Sequence, residues 1–423
     1  MRVLHVLASL SPRLGGPANV LGLARAVARQ GCDVSIFATD IDEWGRLWPW
    51  QRPRRLSMPT DRPIMDQGVS VRYFPVSWPS RYACSWKLSA ALRNEIATFD
   101  LVHIHSLYLF HGFAAAHHCR KNGIPYVIRP HGSLDRFHRG RHRWRKAIYS
   151  RLFELRNIAG AAALHYTSVA EAEHARAAGI TVPGFVVSLG IDAAEYAELP
   201  ARGIFRAAHP ELNGRRLVVF LGRITPKKGL DLLIPAVGRL STFVPDLHLV
   251  LAGQDDEGYL PRVKQLIERH DLVDRVTWVG FVSGVEKRCL LRDADVWALP
   301  SYDENFAVAA VEAMASGAPV LISDRVGIHR VVSEREAGLV VEATVEAVAE
   351  GLERILTDGS LRQRLAANAR ALAFSEFTWD AAATHLIQEY RAILARRGAE
   401  QGAGSLGGRS IASAANLGSR ADR

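Results

Sequence analysis

The stretch LVVFLGRITPKKG, residues 217–229, joins an apolar run to a loop rich in glycine and cations. Leu217–Leu221 is short and continuously apolar, which is typical of a strand buried on both faces of a parallel sheet. Gly222 ends this run, and apolar periodicity predicts a helix from about Lys228 to Leu240. Ligands of open parallel sheets bind beside the carboxyl ends of the strands, so we expect the loop to face a ligand.

The same alternation of strand, loop and helix runs through the whole chain. In the first half we predict strands at Val3–Ala8, Val34–Ala38, Val69–Phe74, Leu101–His105, Tyr126–Arg129, Ala161–His165 and Phe185–Val187. In the second half we predict strands at Leu217–Leu221, Leu247–Ala252, Val276–Val279, Val296–Leu299, Pro319–Ile322 and Gly338–Val341. Helical segments lie between them. The sequence therefore predicts an α/β fold of two doubly wound, Rossmann-like domains that face each other across a cleft.

The pattern restarts near Leu189–Pro200, and a chain of 423 residues exceeds the size at which single cores stop growing. We therefore place one domain at residues 1–195 and a second at residues 196–377. An amphipathic helix is predicted at residues 378–396. The Gly-, Ala- and Ser-rich residues 397–423 are predicted to form a disordered tail.

The balance of charges is basic, with a formal net charge of +10 and a pI near 9.7. Charge of this sign suits nucleic acid, an anionic membrane face or phosphorylated substrates, and it does not choose among them. The sequence has no zinc-ligand spacing, no RNP-type aromatic motif and no helix-turn-helix pattern. We therefore expect no nucleic-acid partner.

Cysteine usage and hydropathy bear on the compartment. Four cysteines are scattered without paired spacing: Cys32, Cys84, Cys119 and Cys289. This argues against a disulfide framework and a structural zinc site and fits a reducing compartment. No window approaches the ~20 apolar residues of a membrane-spanning helix. His5 interrupts the apolar start of the chain, which favours a buried strand over a signal peptide, so we expect a cytoplasmic protein.

Arg223 and Lys228 give the opening stretch the chemistry of an anion site. A guanidinium group can hold two phosphate oxygens, and an ammonium group adds a mobile point charge. A diphosphate leaving group needs such cations, because negative charge grows on it as its bond breaks. The order of residues is not that of a Walker loop. The alternative is a solvated basic turn.

Two glutamates eight positions apart form a second constellation. Glu304 lies in a loop and Glu312 in a predicted helix, Val308–Ser316. The loop carboxylate can meet sugar hydroxyl groups, and the helical one can accept hydrogen bonds from both hydroxyl groups of a ribose. Two glutamates at this spacing also occur by chance. The flanking segments Leu299–Ser301 and Ala315–Val320 favour a functional motif over chance.

Two further loops follow strands in the first half. Gly15, Gly16 and Pro17 precede a helix whose free N–H groups suit an anion, although a plain strand-to-helix turn explains them equally well. His131 lies in the segment RPHGSLD, residues 129–135, where it could contact a reacting sugar or an acceptor. A lone histidine in such a place is as often structural.

Together these segments resemble the retaining GT-B glycosyltransferases of family GT4, within the broad group 1 of glycosyltransferases. The resemblance covers about residues 1–394 and is most specific at Ser301–Gly327, where Glu304 and Glu312 match the family's E-x7-E motif. The family's loop, in which a glycine and an arginine precede a Lys-Gly pair, is matched by Gly222, Arg223, Lys228 and Gly229. The segments HGSLD and SDRVGI look like the branch that assembles bacterial polysaccharides.

The resemblance implies that the C-terminal domain holds a nucleotide sugar. Arg223 and Lys228 would contact the diphosphate, and Glu304 would contact the transferred sugar. The residues it implies for donor binding are Gly16, Gly222, Asn305, Phe306, Ala307 and Glu312, with Glu312 on the ribose.

The N-terminal domain would present the acceptor, and the last helix would cross back onto it. The catalytic set implied by the resemblance is His131, Arg223, Lys228 and Glu304. Retention is thought to proceed by front-face attack, in which a leaving phosphate oxygen helps to deprotonate the acceptor. We expect no metal and no cofactor besides the nucleotide sugar, because Asp40–Asp42 and Asp255–Asp256 look like loop residues rather than a metal-binding motif.

One position departs from the family pattern. Glycine usually follows Asn-Phe there, whereas this chain has Ala307. We expect the methyl group to narrow the space for the donor sugar or phosphate. The choice between a UDP-sugar and a GDP-sugar stays open.

A basic segment, residues 129–146, contains seven Arg or Lys side chains and one acidic residue, with aromatic rings among them. Each cation near an anionic leaflet contributes about 1 kcal/mol, and aromatic side chains favour the interface. We expect docking on the inner face of the plasma membrane, beside a glycan or polyprenyl-diphosphate-linked acceptor, through Arg141, Arg143, Trp144, Arg145 and Lys146. A solvated helix face is the alternative.

The resemblance thus indicates a hexosyl-type transferase that builds exopolysaccharide, O-antigen or another surface glycan. Two alternatives stay open at this point: a sugar-nucleotide epimerase with the GT-B fold, and a catalytically silent nucleotide-sugar-binding protein. The HGSLD segment favours a transferase over an epimerase. The joint presence of the two cations and the two glutamates argues against a silent protein.

Overall fold

The computed structural model describes residues 1–11, 15–43, 53–133, 154–255 and 257–414. Two α/β units follow one another along the chain, each built around a mainly parallel sheet. The apolar runs of the sequence become the central strands of these sheets, because helices cover both faces and leave no solvent-facing side.

Strands of the first unit are β1 Arg2–Leu7, β2 Asp33–Thr39, β3 Ile41–Glu43, β4 Arg54–Arg55, β5 Ile64–Asp66, β6 Val69–Phe74, β7 Leu101–His105, β8 Tyr126–Arg129, β9 Ala163–Tyr166 and β10 Gly184–Val186. In the described ranges, eight of them form a sheet in the order β10-β9-β8-β7-β1-β2-β6-β5. The edge strand β5 is antiparallel to β6, and the other neighbours are parallel. β3 and β4 form a separate antiparallel pair.

Strands of the second unit are β11 Arg216–Leu221, β12 Leu247–Ala252, β13 Val276–Gly280, β14 Val296–Leu299, β15 Val320–Ser323 and β16 Gly338–Val341. They form a parallel sheet in the order β13-β12-β11-β14-β15-β16. This is the strand order of a doubly wound dinucleotide-binding sheet.

Helices cover both sheets. Those of the first unit are α1 Gly15–Arg29, α2 Trp86–Glu95, α3 Phe110–Asn122, α4 Leu155–Ala159 and α5 Val169–Ala177. Those that follow are α6 Ala193–Ala197, α7 Ile204–Ala208, α8 Leu230–Leu240, α9 Leu260–Arg269, α10 Gly284–Asp293, α11 Val308–Ala315, α12 His329–Glu334, α13 Val345–Thr357, α14 Gly359–Glu376 and α15 Trp379–Ala414.

The strand order reverses once in each sheet, between β1 and β7 in the first and between β11 and β14 in the second. Connections leave these neighbouring strands toward opposite sides, which opens a crevice at their carboxyl ends. The glycine- and lysine-containing loop of residues 222–229 follows β11 and therefore borders such a crevice. Two doubly wound sheets confirm the predicted fold class.

The last helix, α15, packs against α1 of the first unit. Its apolar side chains are buried in the core of that unit: Leu386, Ile387, Tyr390 and Ile393. The backbone stays helical to Ala414, whereas composition predicted a disordered tail from residue 397. Extending an existing helix is far less costly than nucleating a new one, which explains how a Gly- and Ala-rich segment continues it.

Gly190 packs directly against the backbone of the segment that leads into α15. A Cβ on Gly190 would lie 2.5 Å from backbone atoms of Thr378 and Trp379. We expect Gly190→Ala to destabilise the protein by roughly 1–3 kcal/mol, because backbone has to move on both sides. The matched control is Gly398→Ala on α15, whose added Cβ meets no atom within 4 Å. Equal melting temperatures of the two variants in scanning fluorimetry would contradict this assignment.

Candidate functional site

Two loops meet at the carboxyl ends of β11 and β14. The Ser301 hydroxyl and the Tyr302 N–H group both donate to the carbonyl of Lys227, at 2.7 and 2.9 Å. Gly229 has a φ of +71°, and a Cβ on it would lie 2.0 Å from the carbonyl oxygen of Pro300. Glycine alone allows this approach, so backbone contacts lock the two loops together.

A buried ion pair joins the same loops through their side chains. The ammonium group of Lys228 donates to Oε2 of Glu304, and the two side chains are 12% and 15% exposed. Burial opposes ionisation of Glu304, but Lys228, Lys227 and Arg223 outweigh it and hold the pKa of Glu304 below its usual value. The side chain of Arg223 is itself exposed to solvent. The structure thus brings three predicted catalytic residues of the second unit together.

The segment after β15 braces the loop of Glu304 from behind. The Glu304 N–H group donates to the Arg325 carbonyl at 3.1 Å, and the Gly327 N–H group donates to the Glu304 carbonyl at 2.7 Å. A Cβ at Gly327 would lie 1.9 Å from the carbonyl oxygen of Asn305. The SDRVGI segment therefore fixes the backbone that carries Glu304.

Glu312 lies within α11 and faces a different cavity from Glu304. Its Oε1 accepts a hydrogen bond from Lys287 on α10 at 2.6 Å. The cavity beside it, of about 300 Å³, is also lined by Tyr196 and Asn19. Burial and the Glu312 carboxylate raise the pKa of Tyr196. Glu304 instead lines a cavity beside α5, and the ribose role of Glu312 stays a prediction.

The position where the family usually has glycine adopts a left-handed backbone. Ala307, with φ +68° and ψ +68°, directly precedes α11. This conformation costs a non-glycine residue about 1–2 kcal/mol. The structure buries the methyl group of Ala307 in the core of the second unit, and the expected narrowing of the donor space stays a prediction. The departure from glycine therefore bears on backbone strain.

The other predicted donor-binding residues have mixed placements. Phe306 is buried and packs edge-to-face on Phe377, with ring centroids 5.5 Å apart, and its role in donor binding stays a prediction. Asn305 donates through Nδ2 to Oγ1 of Thr167 in the first unit, at 2.9 Å. The packing partner of a loop side chain depends on distant segments, and the local motif does not reveal it.

Both predicted glycines of the donor site keep their expected positions beside a strand or at the start of a helix. Gly16 is exposed and lies in the first turn of α1, and Gly222 directly follows β11. A Cβ on Gly222 would lie 3.9 Å from Cε of Lys228. The basic and aromatic candidates lie outside the described residues: Arg141, Arg143, Trp144, Arg145 and Lys146.

His131 follows β8 in the first unit with a left-handed backbone, φ +54°. Its Nε2 forms a hydrogen bond of 3.1 Å with Nδ1 of His105, the last residue of β7. Burial and the cation of Arg129 lower the pKa of His131 well below its usual value. The imidazole is therefore neutral at pH 7, and it can exchange hydrogen bonds with hydroxyl groups without bringing charge to a phosphate.

Behind His131 lies a buried network of histidines. Nε2 of His105 forms a hydrogen bond of 2.9 Å with Nδ1 of His5. The ring of His103 stacks on that of His105, with centroids 4.4 Å apart, and its Nδ1 bonds with the hydroxyl of Tyr390 on α15 at 2.6 Å. The network therefore connects the edge of the cleft to the interior of the first unit.

Among the described residues, His5, His103 and His105 have ring nitrogens within 4.8 Å of one another, a spacing that suits a metal ion. Two observations oppose a cation there. His103 already uses both ring nitrogens, because its Nε2 also bonds with His165 at 3.4 Å. The buried cation of Arg129 further lowers the pKa of all three histidines, beyond the effect of burial.

A cavity of about 520 Å³ opens between α5 and the loop of Glu304. Five of its lining side chains are carboxylic acids: Glu171, Glu173, Asp303, Glu304 and Asp324. Carboxylates repel a diphosphate, although Arg325 and Arg330 also line the wall. This cavity therefore suits an anionic leaving group less well than the cations Arg223 and Lys228 do.

Sequence profiles of known families match both units. The profile of "Glycosyl transferases group 1" matches residues 202–372, and that of "Glycosyl transferase 4-like domain" matches residues 15–190. The chain belongs to the GT4 family of glycosyltransferases. The resemblance drawn from the loop motifs is thereby confirmed. No described helix of this GT4 protein is long and apolar enough to cross a membrane.

Curated relatives of this GT4 protein act on different acceptors. It is 28% identical over 408 residues to D-inositol 3-phosphate glycosyltransferase of Stackebrandtia nassauensis, which covers 89% of this chain and 86% of the relative. It is 32% identical over 190 residues to phosphatidyl-myo-inositol mannosyltransferase of Mycobacterium leprae, which covers 44% of this chain and 49% of the relative. The chain spans about half the length of several curated relatives that it matches.

A solved structure shares the fold of this GT4 protein. HepE of Anabaena, crystallised with UDP and glucose, has a TM-score of 0.70 at 19% identity, and the match covers 93% of this chain and 100% of HepE. Identity at this level establishes the common GT-B architecture alone.

Three residues at the site escaped the sequence analysis: His105, Thr167 and Glu171. His103 and His105 are two positions apart in a strand, so their side chains lie on the same face. This spacing could have suggested a common cluster. Ser168 and Glu171 have the spacing of a capping box, which predicts the start of α5. Neither pattern predicts the long-range partners of these side chains.

Ala307→Gly tests the left-handed conformation. Glycine in an ordinary helix interior costs about 1 kcal/mol relative to alanine, whereas at position 307 it also relieves the positive φ. We expect Ala307→Gly to leave the free energy of unfolding unchanged or to raise it. The matched control Ala310→Gly, inside the helix that Ala307 precedes, should lower it by about 1 kcal/mol. Equal losses in urea titrations of the two variants would refute the assigned strain.

Proposed function

We propose that this glycosyltransferase moves a sugar, with retention of anomeric configuration, from a UDP- or GDP-sugar to a saccharide or lipid-linked acceptor. The observation that carries the proposal is the Lys228–Glu304 pair beside Arg223, where the strand order of the second sheet reverses. Cations at the carboxyl ends of parallel strands suit a diphosphate. A carboxylate held ionised beside them suits sugar hydroxyl groups.

Donor binding would change the partner of Lys228. The diphosphate competes with Glu304 for the ammonium group, and the exposed guanidinium group of Arg223 can hold two of its oxygens. Glu304 stays ionised, because its pKa lies below the usual value, and it can then accept hydrogen bonds from the sugar. The resting ion pair thus supplies both halves of the donor site.

In the proposed reaction the bond between the anomeric carbon and the leaving phosphate oxygen breaks. The acceptor oxygen bonds to the same carbon from the same face, and its proton passes to the leaving phosphate oxygen. The products are a glycoside and a nucleoside diphosphate. Arg223 and Lys228 stabilise the negative charge that grows on the leaving group, so this scheme assigns no step to a metal ion.

His131 would position a hydroxyl group of the donor or the acceptor. Its Nε2 is engaged by His105, so Nδ1 is the ring atom that would meet the substrate. The neutral state of the ring suits this task, since a cation there would compete with Arg223 and Lys228 for the diphosphate.

The donor and acceptor classes draw support from the relatives. HepE binds UDP and glucose, and the mycobacterial relative is named for a mannosyl transfer to a phosphatidylinositol lipid. We propose a glycan or polyprenyl-diphosphate-linked acceptor in the synthesis of a surface polysaccharide. The protein would work at the cytoplasmic face of the membrane, where the cations of residues 141–146 would meet anionic lipid.

Arg223→Ala and Lys228→Ala should each lower kcat for transfer about 10²–10³-fold, because the leaving group loses a preorganised cation. Release of nucleoside diphosphate in a coupled assay measures this, and circular dichroism checks the fold. Arg239→Ala is the control, since it removes an exposed cation that pairs with Glu346. Near wild-type turnover of either site variant would contradict the assigned roles.

A thermal-shift series with UDP- and GDP-sugars should identify the donor. A ligand at 100 times its dissociation constant stabilises a protein by about 2.7 kcal/mol. We expect one nucleotide sugar to raise the melting temperature of the wild type and to lose this effect with Arg223→Ala. The proposal fails if no nucleotide sugar stabilises the wild type. Conversion of the donor to its epimer without an acceptor would point to an epimerase.

A further inference from the structure

A chain of hydrogen bonds crosses from the second unit to the first. Asn305 Nδ2 donates to Thr167 Oγ1 at 2.9 Å, and this hydroxyl donates to Oε2 of Glu171 at 3.0 Å. Oε1 of the same carboxylate accepts a hydrogen bond of 2.8 Å from the N–H group of Gly132. Three polar side chains therefore connect a loop of one unit to a loop of the other.

Both ends of this chain adjoin proposed site residues. Asn305 directly follows Glu304, and Gly132 directly follows His131. The backbone of the Glu304 loop is fixed on its own side by the segment after β15, so it moves with the second unit as a body. A displacement of the second unit is therefore transmitted to the backbone at Gly132 through three hydrogen bonds.

The cap of α5 does not account for these contacts. Ser168 caps the helix, and its hydroxyl accepts a hydrogen bond from the Glu171 N–H group at 3.1 Å. In a capping box the glutamate carboxylate would return to the N–H group of the capping residue. Here the Glu171 carboxylate accepts from Thr167 and Gly132 instead. The hydrogen bond from Gly132 to Glu171 therefore plays no part in capping the helix.

Burial makes this chain of hydrogen bonds rigid. Thr167, Glu171 and the neighbouring Arg129 are each 1% exposed, so solvent does not replace a lost partner. The Glu171 carboxylate counteracts the effect of burial on the pKa of Arg129, which is lowered to about 10. A buried polar group that loses its partner carries the full cost of its desolvation. The units are therefore held in the alignment in which Asn305 reaches Thr167.

We propose that Asn305, Thr167 and Glu171 are positioning residues that set the His131 loop when the two units close around a donor. This inference rests on the proposed function. Closure brings Asn305 to Thr167, Thr167 orients the Glu171 carboxylate, and Glu171 holds Gly132 so that His131 faces the cleft. Donor contacts in one unit are thereby matched to acceptor geometry in the other.

Thr167→Val tests the chain, because valine has nearly the shape of threonine and lacks the hydroxyl group. We expect it to lower kcat about tenfold, in line with the loss of a buried hydrogen bond. The stabilisation by the nucleotide sugar should be unchanged, since Thr167 is buried and is not one of the proposed donor contacts. Thr167→Ser keeps the hydroxyl group and should keep kcat within about twofold of the wild type.

A double-variant cycle and a matched control complete the experiment. Asn305 and Thr167 belong to one chain of hydrogen bonds, so breaking it at either residue has the same effect. We therefore expect the double variant with Asn305→Ala and Thr167→Val to have a kcat no lower than that of Asn305→Ala alone. The exposed ion pair of Glu173 and Arg330, 2.8 Å apart, also joins the two units but is not part of this chain of hydrogen bonds. Glu173→Ala removes that ion pair and should leave kcat unchanged.

Three outcomes would overturn the inference: wild-type kcat in Thr167→Val, equal losses in the valine and serine variants, or losses that multiply in the double variant. Failure of the proposed function would look different. It would appear in the wild type itself, as a lack of stabilisation by every nucleotide sugar.

Discussion

The ion pair of Lys228 and Glu304 is the contact on which the site depends. Both side chains are largely removed from solvent, and buried charges are tolerated only when they are paired. The two residues are 76 positions apart and meet because the strand order places β11 beside β14. Gly229 then lets their loops touch. Since this pair desolvates a cation before any ligand arrives, the proposed diphosphate would meet a site that is already organised for negative charge.

Much of the fold follows from local sequence. Continuous apolar runs such as Leu217–Leu221 became central strands, because only a strand covered on both faces is apolar throughout. The three-residue strands β3 and β5 lie between residues 40 and 68, where the sequence shows no periodicity. Strands this short are defined by their partners. The helix beyond residue 397 was missed because composition does not report that a preceding helix can propagate.

The site was predictable where its residues lie in loops that directly follow strands. Arg223, Lys228 and Glu304 belong to such loops, and topology alone brings them together. Phe306 and Asn305 lie in the same motif, but their side chains are directed by Phe377 and by Thr167, which is 138 positions away. Packing and long-range hydrogen bonds of this kind leave no periodic signal in the sequence.

The histidine network shows how a neutral, buried cluster can keep both directions of hydrogen bonding open along one row of rings. Nε2 of His165 bonds with the Val187 carbonyl, so that ring nitrogen carries the proton and the rings linked to it have fixed tautomers. The row His131–His105–His5 has no such carbonyl, and Nε2 of His5 has no partner among the described residues. Both directions of donation along this row are therefore open. If His131 binds a substrate hydroxyl group as proposed, that group would select one of them and so set the tautomers of the row.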